Sequence, residues 1–426
     1  MSEREAGHPA ESADGIEAQA EHFDVVIIGG GLVGASLACA LAPLMERHSE
    51  ACSPQAPLRV AVVEANELSS AADMPRFQPS FDARASAIAA GSRQRFTAFG
   101  LWEAMQEHAT PIRTIHVSER GHLGATRMRA EEIGVPALGH VIPNAWMGQV
   151  LHRRLAELSL AWYCPARVAE IVVTADGHHL MLEDGRQLVA GLTVLADGGR
   201  SGLKERLGIH SAAQSYEQHA LIATVEMSQP HQGVAYERFT SEGPMALLPL
   251  AGRRMELVWT REPDDAEHLM TLPDSDFLTA LQRAFGERAG RFRRVGQRHT
   301  YPLSLVRASE GTRPGLAVLG NAAHSLHPVA GQGFNLALRG VTDLVAAIEA
   351  GQARGEPAGA SSVLSDFETR RSDDRDNVVL FSDGLIRLFG VDSRWLGHAR
   401  AAGLIGLNLI SPLKRLLARR SMGIER

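Results

Sequence analysis

The feature that most constrains the fold of this chain is a glycine-rich turn between a β-branched run and an alanine-rich helix pattern. The segment HFDVVIIGGGLVGASLACALA starts at His22, and Gly29, Gly31 and Gly34 give it the spacing G-x-G-x-x-G. In a strand, turn and helix unit, the first glycine makes the turn, the second lets backbone approach a pyrophosphate, and the third lets the helix pack against the strand. The segment therefore predicts a dinucleotide site with its phosphates at the helix N-terminus.

A second apolar strand pattern, residues 58–63, ends in an acid, Glu64. A carboxylate at this point can accept hydrogen bonds from the ribose hydroxyls of an adenosine. Gly34 and Glu64 lie farther apart than the roughly 20 residues usual for this motif. We interpret residues 48–57, which are polar and contain proline, as a loop insertion. The combination favours a bound dinucleotide over a glycine turn without a ligand.

Composition and charge exclude several classes of protein. The 426 residues, 45% hydrophobic and 22% charged, are typical of a globular chain of two or three domains. A net charge of -6 argues against nucleic acid as a partner. Residues 1–22 hold six acids, one arginine and no apolar run, so they predict a disordered acidic tail and not a signal peptide. No run reaches the roughly 20 apolar residues of a membrane span, and a cytoplasmic protein is expected.

Cysteine and histidine spacing predicts no metal site. Cys39, Cys52 and Cys164 are scattered, and we expect buried thiols in a reducing compartment. His324 and His327 form a His-x-x-His pair, but no third ligand follows at a suitable spacing and a proline interrupts the segment.

Two further strand-to-turn segments follow the first. VLADGGRSGLKERLG, from Val194, places Asp197 after an apolar run, although an Asp-Gly pair alone is more often a turn with a helix cap than a binding site. GLAVLGNAAHSLHPVAGQGFNLALRG contains a strand over residues 316–319 and a loop that opens a helix near Phe334. No second complete G-x-G-x-x-G follows a strand, which disfavours flavoproteins with two dinucleotide domains.

Together these three segments resemble the fingerprints of the class A flavin-dependent aromatic hydroxylases, over about residues 23–376. The resemblance implies an α/β fold with a Rossmann-like FAD-binding domain of the GR2 type, an inserted antiparallel β-sheet substrate domain and a C-terminal helical region. Four segments are similar to the ubiquinone-biosynthesis hydroxylases, and most to those acting on 2-polyprenyl-6-methoxyphenol. They are FDARASAIAAGS from Phe81, HVSERGHLG from His116, YERFTSEGPMALLPL from Tyr236 and RRSDDRD from Arg370.

The resemblance also predicts a division of the chain. Strand-like runs between residues 210 and 260 predict the inserted antiparallel sheet, with one face over the flavin and the other in solvent. The predicted parts are a tail over 1–22, an interleaved FAD-binding domain over 23–105, 141–205 and 300–370, a substrate-binding sheet domain over 106–140 and 206–299, and a helical region over 371–426.

The family's motifs imply the residues that hold the cofactor. They are Gly29, Gly31, Gly34 and Glu64 at the ADP half; Arg84 and Gln149 at the pyrophosphate and flavin; Asp197 and Arg200 near FAD and the nicotinamide coenzyme; Asn321 at the ribityl chain; and Gly331, Gln332, Gly333 and Asn335 at the isoalloxazine ring. A surface arginine is the alternative for Arg84. His324 and Pro328 are candidates beside the flavin. The helix after this loop directs its positive end at the ring, which stabilises an anionic reduced flavin.

The implied reaction needs few protein side chains. FAD is reduced by NAD(P)H, and a flavin hydroperoxide transfers one atom of molecular oxygen to a polyprenylated phenol in ubiquinone biosynthesis, while the protein orients the phenol and excludes water. Flavin halogenases share the fold but need an active-site lysine, and Lys204 and Lys414, the two lysines of the chain, do not match it. The alternatives are a sister ubiquinone hydroxylase acting at another ring position, an FAD-dependent dehydrogenase or reductase, and a flavin-binding scaffold.

The segment AAGLIGLNLISPLKRLLARR, from Ala401, predicts a basic amphipathic helix that starts at Ser411. Such a helix can lie on an anionic membrane surface, or it can pack on its own domain or on a partner subunit. The expected partners are the phenol substrate, molecular oxygen, the inner face of the cytoplasmic membrane and a ubiquinone-biosynthesis assembly, with no nucleic acid.

Asn321 stands where most members of the family have an aspartate that accepts a hydrogen bond from a ribityl hydroxyl. Because the amide oxygen of asparagine can accept the same bond, we predict that Asn321→Asp retains FAD. The flavin absorbance of the purified variant checks this. Complete loss of flavin would mean that the uncharged amide is required.

Overall fold

The computed structural model describes residues 20–46, 56–67, 84–122, 124–175, 177–325, 331–390 and 394–424. Within these residues, two large sheets and a small third sheet are joined by helices. The predicted acidic tail lies outside them except at its end, where Glu21 and His22 already belong to the first strand. Cys52, His327 and Pro328 also lie outside the described residues.

The first sheet contains the parallel strands that the glycine-rich turn predicts. Its strands are β1 (Glu21–Ile28), β2 (Val60–Val63), β8 (Ala161–Tyr163), β9 (Val168–Thr174), β10 (Gly177–Leu182), β11 (Gln187–Leu195), β18 (Thr312–Arg313) and β19 (Leu316–Val318). The order β19-β11-β1-β2-β8 is parallel throughout. Antiparallel strands flank it, with β10 and β9 next to β11, and β18 next to β19.

The central strand of this sheet is buried on both faces. Val25 and Ile27 of β1 pack into the cluster formed with the helices, whereas Val26 and Ile28 pack into a cluster that includes Leu180 of β10. A strand covered on both faces is apolar at every position, which explains the continuous run Val25 to Ile28.

The second sheet is the predicted inserted sheet. Its strands are β5 (Thr114–Glu119), β6 (Ala125–Arg129), β12 (Ser211–Met227), β13 (Val234–Thr240), β14 (Gly243–Pro249), β15 (Arg254–Arg261), β16 (Phe292–Val295), β17 (His299–Ala308) and β20 (His324–Ser325). Its order is β20-β17-β12-β15-β14-β13-β5-β6, with β16 beside β12. It is antiparallel except where β13 pairs with β5 in parallel.

One expectation about this sheet is wrong. The face predicted to meet solvent is buried, because Phe277 and Leu281 pack onto Leu247 and Trp259. The physical reason is the spacing of Phe277, Leu281 and Phe285, which gives the helix that contains them, Asp274–Phe285, a continuous apolar stripe.

The helices and the small sheet complete the architecture. The small sheet has the order β3-β7-β4 and connects predicted cofactor and substrate segments, with β3 (Ala85–Ala89), β4 (Thr110–Ile112) and β7 (Gly139–Pro143). The helices are α1 (Leu32–Met45), α2 (Ala90–Ala98), α3 (Trp102–Met105), α4 (Ala130–Ile133), α5 (Asn144–Glu157), α6 (Leu203–Arg206), α7 (Pro263–Thr271), α8 (Asp274–Phe285), α9 (Gln332–Ala353), α10 (Ser361–Gly390), α11 (Arg394–Leu409) and α12 (Ser411–Ser421).

The C-terminal helices contact the second sheet and α4 through buried charged side chains. Arg400 of α11 donates from Nε to the buried Glu119 of β5 at 3.0 Å. Lys414 of α12 pairs with Glu132 of α4 at 2.7 Å. The predicted start of a helical region at residue 371 falls inside α10, because that helix already begins at Ser361.

Two cysteines differ in their surroundings. Cys39 is buried in α1, as predicted, and burial raises the pKa of its thiol to about 12. Cys164 is only partly buried, which corrects the expectation for that residue, and its Sγ lies 3.1 Å from the carbonyl oxygen of Asn66. Among the described helices, none combines the length and the apolar character needed to cross a membrane.

Candidate functional site

The three sequence fingerprints meet at one edge of the first sheet. Because β1, β11 and β19 are parallel neighbours, the turns that follow them lie side by side. Backbone hydrogen bonds continue past the strand ends, from Ala196 to the Ile28 carbonyl at 2.8 Å and from Leu319 to the Leu195 carbonyl at 2.9 Å. Ligands of open parallel sheets bind at this carboxyl edge.

Each glycine of the first turn has a separate geometric reason. Gly29 has φ +105°, and a Cβ there would lie 2.7 Å from the Ala196 carbonyl oxygen. A Cβ at Gly34 would overlap the carbonyl oxygen of Gly29, so α1 can pack this closely only with glycine. Gly31, the N-cap of α1, faces open space, with no described atom within 4 Å of an added Cβ. This open position at a helix N-terminus fits a pyrophosphate.

Glu64 lies at the end of β2, beside the same turn, and is 8% exposed. One carboxylate oxygen accepts the Gly30 N–H at 2.7 Å, and the other accepts both N–H groups of Asn66, from the backbone at 2.8 Å and from Nδ2 at 2.9 Å. A carboxylate has about four lone-pair positions, so it can still accept ribose hydroxyls. Asn66 was not identified from the sequence.

Helix α5 contributes to the first turn through a residue that the sequence did not indicate. His152 donates from Nε2 to the carbonyl oxygen of Gly30 at 2.9 Å. Gln149 precedes His152 by about one helical turn, so the two positions share a face of α5. Contact of Gln149 with the cofactor remains a prediction. The i, i+3 spacing from Gln149 was the signal that could have identified His152.

The Asp-Gly turn after β11 is held by its own aspartate. Asp197 accepts the Gly199 N–H and the Ser201 N–H, each at 3.0 Å. Arg200 and Asn321 are exposed. A Cβ at Gly199 would lie 3.7 Å from the Asn321 carbonyl oxygen, which brings the second and third turns together.

The third turn leads into α9, which begins at Gln332, two residues earlier than predicted. Gly331 caps it in the left-handed region with φ +59°, and Gln332 donates to the Ser421 carbonyl at 3.2 Å. A Cβ at Gly333 would meet no described atom within 4 Å. The positive end of this long helix therefore lies beside open space.

Asn335 lies in the first turn of α9, as predicted, and its amide braces the neighbouring backbone. Its Oδ1 accepts the Ala89 N–H, and its Nδ2 donates to the carbonyl oxygens of Ala87 and Gly331, all at 2.8 Å. These bonds fix β3 against the start of α9. Direct contact of Asn335 with a flavin ring remains a prediction.

Arg84 precedes β3 and lies beside the second sheet. Its Nη1 donates to the Tyr301 hydroxyl at 2.9 Å. The adjacent Ala85 N–H donates to Glu256 of β15 at 2.7 Å. Burial raises the pKa of Glu256 to about 8, although this hydrogen bond and Arg84 partly oppose the shift.

His324 is buried in a polar cluster at β20. Arg371 of α10 donates to its Nδ1 at 3.3 Å, so the proton of the neutral ring lies on Nε2. Burial, and then the charge of Arg371, lower the pKa of His324 to about 3. The small cavity that His324 lines is shared with Glu368 and Arg375 and does not include the start of α9. A position beside the flavin remains a prediction for His324.

An apolar cavity of about 370 Å³ lies between the second sheet and the start of α9. The described residues that line it come mainly from β3, β4, β5, β6, β7, β13, β14 and β15, from the start of α9, and from the C-terminal helices α11 and α12. Leu404, Leu417 and Met422 form its C-terminal wall, and Gly331 and Asn335 form part of its α9 side. Among the described lining residues, Glu237 is the only acid.

These features fit an FAD molecule. The start of α1 offers an open position for phosphates, Glu64 offers an acceptor for ribose, and the start of α9 offers donors and a positive dipole for the ring. Among the described residues, no group of three His, Cys, Asp or Glu side chains could hold a metal ion.

Comparisons with known proteins show the family of the chain. The FAD binding domain family matches residues 22–382. The ubiquinone hydroxylase UbiL of Rhodospirillum rubrum is 35% identical over 421 residues, which cover 98% of this chain and 94% of that protein. The mitochondrial ubiquinone biosynthesis monooxygenase COQ6 of Homo sapiens is 27% identical, and the alignment covers 92% of this chain and 91% of that protein.

A solved structure shows the same fold. The p-nitrophenol 4-monooxygenase PnpA of Pseudomonas putida aligns with a TM-score of 0.73 over 95% of this chain and 100% of that chain. The sequence identity is 17%, so this likeness concerns the fold alone.

The open position of Gly31 gives a direct test of the phosphate site. Gly31 has φ -68°, which alanine adopts without strain, so Gly31→Ala should fold normally while its methyl group occupies the space of the phosphates. We expect a loss of FAD affinity of about tenfold or more, or roughly 1.4 kcal/mol, measured by flavin titration of the apoprotein. Gly403→Ala on α11, an exposed glycine that also has no described atom within 4 Å of an added Cβ, is the matched control and should bind FAD normally. Equal affinity in both variants would contradict the assignment.

Proposed function

The chain belongs to the FAD binding domain family, among the flavin-dependent aromatic hydroxylases that include the ubiquinone hydroxylases, and from this premise we propose that it hydroxylates a polyprenylated phenol of the 2-polyprenyl-6-methoxyphenol type. It is an FAD-dependent aromatic monooxygenase. The observation that most supports the finer proposal is the apolar cavity that reaches the start of α9.

The cavity suits a phenol with an apolar substituent. Its walls are largely aliphatic, including Ile115, Met128, Leu248 and Val258, so transfer of an alkyl chain from water into it is favourable. It continues to Leu404 and therefore has apolar surface beyond the part next to α9. A phenol ring beside α9 with its chain along the sheet is consistent with this shape.

We propose that different parts of the chain bind the cofactor and the substrate. Residues 23–105, 141–205 and 300–370 would hold FAD, and residues 106–140 and 206–299 would hold the phenol. The cofactor contacts would come from Gly29, Gly31, Gly34, Glu64, Arg84, Gln149, Asp197, Arg200, Asn321, Gly331, Gln332, Gly333 and Asn335. When bound, FAD takes a hydride from NAD(P)H and, with dioxygen, supplies one oxygen atom to the ring. The protein would orient the phenol, exclude water, and stabilise negative charge through the start of α9.

Incubation with ¹⁸O₂, NADPH or NADH and 2-farnesyl-6-methoxyphenol tests the proposal. The enzyme should introduce one ¹⁸O atom into the ring, and mass spectrometry of the product measures it. Nuclear magnetic resonance of the product then identifies the hydroxylated carbon and separates the methoxyphenol hydroxylase from a sister enzyme acting at another position. Oxidation of the nicotinamide with no label in any phenolic product would favour a dehydrogenase or reductase. An FAD-free protein that supports normal quinone levels would favour a scaffold.

We also propose that α11 and α12 contact an anionic membrane surface. Ile405, Ile410, Leu416 and Leu417 are between 37% and 52% exposed, and exposed arginines adjoin them on α12. An apolar strip beside basic residues is typical of helices that lie in the interface of a bilayer. Leu417 also lines the cavity, so the surface adjoins a route for an apolar substrate.

Vesicle sedimentation tests the membrane proposal. The double change Ile405→Ser with Leu416→Ser should weaken binding to phosphatidylglycerol vesicles by about 30-fold, since each exposed side chain contributes roughly 1 kcal/mol when buried and the two together contribute about 2 kcal/mol. The matched control is Val173→Ser with Met181→Ser, two exposed apolar residues of β9 and β10 in the first sheet. Unchanged binding of the first variant would contradict the proposal, as would equal binding of the wild type to neutral phosphatidylcholine vesicles.

A further inference from the structure

A row of residues crosses the cavity face of the second sheet. Strand pairing aligns Thr126 with Val117, Val117 with Glu237, Glu237 with Ala246, and Ala246 with Val258. All five residues line the apolar cavity. Glu237 thus lies in the middle of the row, with aliphatic side chains on both neighbouring strands.

The Glu237 carboxyl group has no hydrogen bond or ion pair with any described residue. Burial alone raises its pKa from 4.5 to about 8. An isolated polar group in an apolar site costs free energy in the folded state, so such a group is expected to have a partner that binds later. The adjacent sheet positions cannot supply one, because Val117 and Ala246 have aliphatic side chains.

Glu256 provides the contrast on the same sheet. Its neighbour across the strands, Leu248, lines the cavity, but the Glu256 carboxylate already accepts the Ala85 N–H at 2.7 Å and lies near Arg84. It therefore has a structural partner that Glu237 lacks.

We propose that Glu237 is a catalytic residue that hydrogen bonds to the hydroxyl group of the phenol substrate and accepts its proton as the ring is hydroxylated. This inference rests on the proposed function. The carboxylate would be the polar anchor for the phenol in an otherwise apolar row, and it would set which ring carbon faces the start of α9. A base that titrates near the working pH is suited to this proton transfer.

The proposed step balances as follows. The phenol O–H bond breaks, its proton goes to Glu237, and its electron pair moves into the ring while a C–O bond forms at a ring carbon. The oxygen atom comes from dioxygen, whose second atom leaves as water, and NAD(P)H supplies two electrons. Loss of the ring C–H proton to solvent restores aromaticity, and Glu237 returns its proton to the substrate oxygen.

The pH dependence follows from the base form of Glu237. Other titratable groups around the cavity are Tyr236, whose pKa is raised by burial, Glu256 with Arg84 on the β15 side, and Lys414 with Glu132 on the α12 side. None of them shifts the pKa of Glu237. The wild-type kcat/KM should therefore fall about tenfold per pH unit below a pH of about 8.

The experiment compares the holoenzyme with its Glu237→Gln variant on 2-farnesyl-6-methoxyphenol. The variant should bind FAD normally and oxidise NAD(P)H, but its hydroxylation should be about 100-fold slower at pH 8. It should also lack the pH-dependent limb, which is the fall in kcat/KM below about pH 8. Glu237→Asp keeps a titratable group and should keep the limb. Glu256→Gln should also keep it.

Binding of the methyl ether of the same phenol gives a ligand control. The ether has no O–H to donate, so wild type and Glu237→Gln should bind it equally, whereas the phenol should bind the wild type more tightly.

Thermal unfolding at several pH values gives a readout that does not depend on turnover. Folding raises the pKa of Glu237, so the protonated side chain contributes stability to the folded wild type. This contribution is fully present below about pH 4.5 and is lost as the pH rises through about 8. The melting temperature of Glu237→Gln should therefore rise relative to wild type between pH 5 and pH 9.

Several results would overturn the inference. One is a Glu237→Gln variant with the wild-type rate and pH limb; another is loss of the limb in Glu256→Gln instead. A rate that increases as pH falls would indicate that a protonated Glu237 donates to the phenol oxygen. Loss of FAD from Glu237→Gln would place the residue in the cofactor site. A wild type that gives no labelled product would refute the proposed function, whereas these variant results would refute only the role of Glu237.

Discussion

The contact between the start of α1 and the end of β1 determines how the rest of the site is arranged. No side chain fits at Gly34, because an added Cβ would overlap the Gly29 carbonyl oxygen. The helix therefore begins directly against the strand, and its first N–H groups point to the carboxyl edge of the sheet. A Cβ added at Gly320 would lie 3.0 Å from Cγ2 of Val33, which follows the first turn. The third turn therefore packs onto the first. One close approach thus aligns turns that are almost 300 residues apart in the chain.

The second sheet complements this edge because its two faces differ. One face is part of a core, where α8 covers Leu247 and Trp259. The other face lines a cavity that also includes the start of α9. Because α8 packs on the opposite face, the strands have little freedom to shift, and the cavity face of the sheet is held rigidly. Rigid placement matters at a site where a reacting carbon must be held near one position.

Much of the fold could be predicted because the signals were local. The strand, turn and helix units around Gly29, Asp197 and Gly331 follow from runs of β-branched residues and glycine spacing, and the described residues contain them within a few positions. The contacts that complete the site are not local. His152 reaches Gly30 from a helix 122 residues away, and Glu256 reaches Ala85 across 171 residues. No spacing rule in a single sequence reports such pairs.

The errors have the same origin. The buried second face of the sheet was missed although the stripe of Phe277, Leu281 and Phe285 was visible in the sequence, because an amphipathic helix does not indicate which sheet it covers. The isolation of Glu237 could not be predicted either. An alternating strand pattern shows that the residue faces away from Tyr236 and Arg238, but not that its neighbours on both adjacent strands are aliphatic.

The cavity wall formed by α11 and α12 has a consequence for the order in which the protein is made. Every strand of the three sheets precedes residue 326, whereas Leu404, Leu417 and Met422 emerge from the ribosome roughly 80 residues or more later. At a synthesis rate of about 5–20 residues per second, the apolar face of the second sheet is exposed for some seconds before its cover exists. During that interval the nascent chain presents an uncovered aliphatic surface.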